Sequence, residues 1–80
     1  MTTVIASFDV ADWDHWRLLR RRSWRILRGQ DNPNHVVIVE TFDSREIAEG
    51  EFTSEQTREL MAADGIDMSS LEFGFYDEVD

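Results

Sequence analysis

Val36-Val37-Ile38-Val39 is an unbroken apolar run inside the segment His35–Phe42. Successive side chains of a strand point to opposite faces, so a strand built from these residues is apolar on both sides. Helices of the same chain can cover one face of the sheet; the other needs a cover of its own. A second copy of the sheet is the economical one, and a homodimer paired through the sheet face is the expectation.

Working outward from this run, Gly29-Gln30-Asp31-Asn32-Pro33-Asn34 is a dense cluster of turn formers. A strand over Ser23–Arg28 therefore makes a hairpin with His35–Phe42, although Trp24–Leu27 also reads as the end of a helix that starts at Trp13. Upstream, Val4, Ala6, Phe8 and Val10 alternate with Thr3, Ile5, Ser7 and Asp9, the period of a strand over Thr2–Val10. Asp12 is placed to cap a helix of about ten residues beginning at Trp13, with Asp14 in its first turn.

Downstream, Asp43-Ser44-Arg45-Glu46 starts a second helical region, with Asp43 as cap and Glu46 reaching back to it. Gly50 weakens its middle and Ser54 offers a fresh cap, so a break near 50–54 and a further helical piece through Leu60 and Met61 are expected. Gly65 stops that piece. A last strand over Leu71–Val79 sets Leu71, Phe73, Phe75 and Val79 on one face and Glu72, Gly74, Tyr76 and Glu78 on the other. The order β-α-β-β-α-β defines a single α+β domain over 1–80, ferredoxin-like, with a four-stranded antiparallel sheet and helices on one face.

Composition narrows the function. A chain of 80 residues buries only roughly 60 per cent of its unfolded surface, and without cysteine it has no disulfide to support it. A partner chain is the remaining support. The net charge of −9 argues against nucleic acid as a partner. The charge is uneven: Trp13–Arg28 holds six arginines and one acid, Asp14, while Glu46, Glu49, Glu51, Glu55 and Glu59 gather in the second helical region. No stretch approaches the ~18 apolar residues of a membrane span and no export signal opens the chain, so a cytoplasmic location is expected.

The segments Asp31–Ser44, Ser54-Glu55, Leu60-Met61 and Ala63-Asp64-Gly65-Ile66, taken in order, resemble the dimeric α/β-barrel superfamily, in its antibiotic-biosynthesis-monooxygenase-like branch. The likeness covers residues 31–79, with Phe8–Trp16 matching more loosely. It implies two sheets paired into a barrel and a ligand cavity between each sheet and its helices. It also implies cofactor-independent monooxygenase or cyclase chemistry on an electron-rich aromatic molecule, with Trp13, Trp16, Arg17 and Trp24 supplying stacking and a fixed cation for an anionic or phenolate ligand. The chain departs from the pattern in its first helix, since only ten residues separate Trp13 from Trp24.

Read as residues, the same tryptophans are large core side chains before they are a site. His15 and His35 are general-base candidates by residue type, but no acid stands at a spacing that completes a triad. They assemble no metal or haem ligand set, so no cofactor is expected. Tyr76 can direct its hydroxyl into the barrel. Trp16, Arg17, Trp24, His35 and Tyr76 are thus the ligand-binding candidates. A cavity of at least about 300 Å³ beside Trp16, Trp24 or Tyr76 marks a small-molecule site; a filled core marks a non-catalytic dimerisation or regulatory module.

Overall fold

The computed structural model describes residues 1–19 and 24–79. β1 (Thr2–Val10) runs to a one-turn helix α1 (Trp13–Trp16), followed by the hairpin β2 (Arg25–Arg28) and β3 (His35–Phe42). Helices α2 (Arg45–Thr53) and α3 (Glu55–Ala63) then lead to β4 (Ile66–Tyr76). The four strands form one antiparallel sheet in the order β2-β3-β1-β4. Among the described residues no helix is long and apolar enough to cross a membrane.

Alternation decides the core. Val4, Ala6, Phe8 and Val10 of β1 and Val36 and Ile38 of β3 are buried beneath the helices, and they pack with Trp16, Ala48, Phe52, Met61 and Ile66. Val37 and Val39 point the other way and are only half-buried, beside Ile5 and Leu27 at 37% and 55% exposure. Register places them together, because Leu27 pairs with Val37 and Ile5 with Val39. The sheet thus has one face under helices and one open, apolar face.

Several boundaries differ from those the sequence suggests. The first helix is one turn, not about ten residues: Leu18 and Leu19 donate back to His15 and Trp16, three residues earlier, which tightens the chain out of the α-helix. Only Trp16 of this helix is buried, and Leu18 and Leu19 remain exposed, so there is no apolar stripe to extend it. Trp24–Leu27 is not continued helix, since β2 starts at Arg25; Arg20–Ser23 lie outside the described residues.

The second cap is Ser44 rather than Asp43. Its hydroxyl accepts from the Ile47 amide at 3.2 Å, which makes Ile47 the third helical residue and removes Glu46 from any reciprocal bond. Ser54 ends α2 and caps α3, as its side chain accepts from the Thr57 amide. β4 begins at Ile66 and ends at Tyr76, so the strand is not Leu71–Val79, and Val79 is 90% exposed rather than core. A bulge explains the hidden start. β1 pairs Ser7 with Glu72 but Asp9 with Asp67, so extra β4 residues loop out opposite Phe8, and Ser70 Oγ accepts from the Asp9 amide at 2.8 Å.

Gly65 stops α3 with φ at +91° and donates to the Ala62 carbonyl at 3.1 Å. A Cβ there meets nothing closer than 4.0 Å, so its cost is backbone strain alone. Gly50 lies inside α2 with nothing within 4 Å of an added Cβ. The same substitution therefore has opposite signs: Gly65→Ala loses about 1–2 kcal/mol and Gly50→Ala gains about 0.5–1 kcal/mol, measured by urea unfolding.

Candidate functional site

Between the covered face of the sheet and the helix pair lies a cavity of about 170 Å³. Ile38 and Glu40 form its floor from β3, Glu51 and Phe52 come from α2, Thr57, Leu60 and Met61 from α3 and Asp64 from its C-cap, with Leu19 beyond α1. Trp24, just ahead of β2, closes one side. The volume is below 300 Å³, so the space is neither a drug-sized pocket nor a filled core.

Among the described residues three carboxylates line the cavity, Glu40, Glu51 and Asp64, and Glu40 is the one that comes from the sheet. Positions 36, 38, 40 and 42 of β3 share the inward face, where Val36, Ile38 and Phe42 are apolar and position 40 carries a carboxylate. β2 pairs Arg25 with Val39, and carrying that antiparallel register one residue further sets Trp24 opposite Glu40. Trp24 Nε1–H donates to Glu40 Oε2 across this pairing. The sequence does contain the signal, an acid at an inward strand position, because an ionised side chain facing the core needs a partner.

The indole of Trp24 is held from behind. It stacks on Trp16 with centroids 6.3 Å apart and planes 14° from parallel. Trp16 in turn packs edge-on against Phe8 at 5.5 Å and lies 5.9 Å from Trp13, whose ring sits beneath the Arg28 guanidinium at 4.6 Å. Trp16, 2% exposed, is a core side chain, and Trp24 rests on it while facing the cavity.

The remaining candidates lie elsewhere among the described residues. Arg17 is exposed beyond α1 and reaches Asp14 at 3.6 Å. His35 projects on the open face of the sheet, where its Nδ1 is 2.9 Å from Asp9 Oδ1. Tyr76 is on that same open face, in register with Thr3, and its ring lies over Gly74, where an added Cβ would come within 3.0 Å of it. Of the five, Trp24 alone lines the cavity.

No protein-family model matches the chain, and a search of curated proteins finds no match. Solved structures do match it. An antibiotic biosynthesis monooxygenase superimposes with a TM-score of 0.66 at 15% identity, covering 100% of both chains. A protein of Deinococcus radiodurans, provisionally named an antibiotic biosynthesis monooxygenase, gives 0.63 at 13% identity over 100% of this chain and 94% of its own. A Nitrosomonas europaea protein with the same provisional name gives 0.58 at 18% identity over 100% of both. The chain has the ferredoxin-like fold of these monooxygenase-like structures from end to end.

Trp24→Phe keeps a ring on Trp16 but removes the donor to Glu40. The variant is expected to lose about 1–3 kcal/mol in urea unfolding at neutral pH, because a half-buried carboxylate is left without its hydrogen bond.

Proposed function

We propose that this protein binds a small apolar or aromatic molecule, one ring in size, in the cavity beside Trp24, and that it works as a homodimer paired through the open face of its sheet. The cavity carries the reading: a dry apolar space of ~150 Å³ accepts benzene, and about 170 Å³ walled by Trp24, Phe52, Leu60 and Met61 has room for one ring and not for several.

The names of the structural neighbours point to oxygenation as the chemistry. A cofactor-independent monooxygenase takes all its electrons from the substrate, one oxygen atom entering the product and the other leaving as water. It therefore needs an electron-rich ring held away from bulk solvent. Trp24 stacking and the apolar walls from α2 and α3 suit such a ring.

The dimer follows from the open face. Ile5, Leu27, Val37 and Val39 form a contiguous apolar surface there, bounded by Arg25 at the β2 edge and Glu72 at the β4 edge. Packing about a two-fold axis parallel to the strands lays the β2 edge of one copy over the β4 edge of the other. Opposite charges then meet at each border.

A second reading, a dimerisation or regulatory module, is favoured by the one-turn α1 and the modest cavity. Titration with single-ring aromatics, followed by the indole N–H resonance of Trp24 and by an oxygen electrode, separates the two. The proposal expects a shift of the Trp24 resonance that Leu60→Trp, which fills the cavity, abolishes, together with ligand-dependent oxygen uptake. A shift without uptake supports a binding module, and no shift with any ring overturns the proposal.

A further inference from the structure

We propose that Glu40 selects the occupant of this cavity: a neutral one-ring molecule bearing an acidic O–H or N–H, a phenol above all, which donates its proton to the Glu40 carboxylate. The inference rests on the reading of the cavity as a ligand site and adds the chemical class of the ligand and the side chain that recognises it.

Glu40 lines the cavity from an inward position of β3, flanked on its own face by Ile38 and Phe42. An ionised carboxylate has two oxygens and room for about four hydrogen bonds. Among the described residues it receives one, from Trp24 Nε1–H to Oε2. Leu19, Ile38, Phe52, Leu60 and Met61 and the carboxylates of Glu51 and Asp64 offer it no donor, and among the described residues Thr57 is the one neutral polar side chain of the lining. The acceptor capacity left over faces a space that has room for a ring.

The carboxylate is also fixed. Its donor among the described residues is an indole stacked on Trp16, which is itself packed in the core against Phe8. A ring entering the cavity thus meets an acceptor whose orientation is set in advance, which lowers the ordering cost of a hydrogen bond to it. An anion lying against Glu40 is repelled by like charge, so the pre-ionised phenolate expected from the sequence is disfavoured there and the neutral phenol preferred. Arg17, the cation assigned to such an anion, is not part of the lining.

Proton transfer gives the selection a chemical use. The phenol O–H breaks heterolytically, the electron pair stays on the phenol oxygen and the proton passes to the Glu40 carboxylate, with no change of oxidation state. A phenol is a weaker acid than a carboxylic acid by about six pKa units, so the transfer completes only as oxidation draws electrons from the ring, and Glu40 acts there as the general base.

Phenol and toluene, equal in size, test this with the Trp24 indole resonance as the probe. A purely apolar cavity favours toluene, because phenol must give up its hydrogen bonds to water. Wild-type protein is expected to bind phenol more tightly than toluene. Glu40→Gln keeps an acceptor for Trp24 but removes the charge, so the phenol-to-toluene affinity ratio should fall about tenfold while toluene affinity stays the same.

Toluene binding as tightly as phenol to the wild type, or a ratio unchanged in Glu40→Gln, overturns the role of Glu40 and leaves the cavity reading standing. If neither ring binds the wild type, both fall. The wild-type ratio decides the matter should Glu40→Gln not fold.

Discussion

The alternation of β3 is the constraint on which the rest of the structure depends. It sends Val36 and Ile38 into the core and leaves Val37 and Val39 half-covered on the opposite face. Everything on the covered side answers the first pair: β1 supplies Val4, Ala6 and Phe8, and the helices add Trp16, Ala48, Phe52 and Met61. Among the described residues no helix covers the second pair. The proposed dimer answers this with the same patch used twice, at no cost in extra sequence.

Glu40 continues the same alternation and turns it to another use. It occupies the inward register where an apolar residue would fill the space beneath α2 and α3, and its carboxylate is tied to Trp24 instead. The Glu40–Trp24 contact at the wall of the cavity thus comes from a single strand position. Trp24 owes its place to the β2–β3 register, and its rigidity to the stack on Trp16.

Much of this architecture can be read from the residues. β1, the hairpin turn, β3, the Asp12 cap, the Ser54 break and the Gly65 stop all have local causes that survive folding, namely periodicity, side-chain capping and a left-handed glycine. The boundaries that moved have non-local causes. Ile66–Ser70 is polar and looks like a loop until the bulge opposite Phe8 is known, because its partner is sixty residues away in β1. The first helix stops after a turn because Leu18 and Leu19, just beyond Trp16, stay exposed instead of burying against the core.

The site was less accessible to sequence reasoning for the same reason. Trp24 was identifiable as a large ring near the hairpin, but which side chain faces it depends on strand register, and that singled out Glu40 rather than Arg17, His35 or Tyr76. The claim that the two-sided strand requires a second copy is tested most directly by sedimentation equilibrium of the wild type beside Val37→Arg. The account predicts a dimer for the wild type and a folded monomer for Val37→Arg, whose guanidinium lies in the middle of the shared face. A wild-type protein that remains monomeric at micromolar concentration, or a Val37→Arg variant that dimerises as well as the wild type, contradicts it.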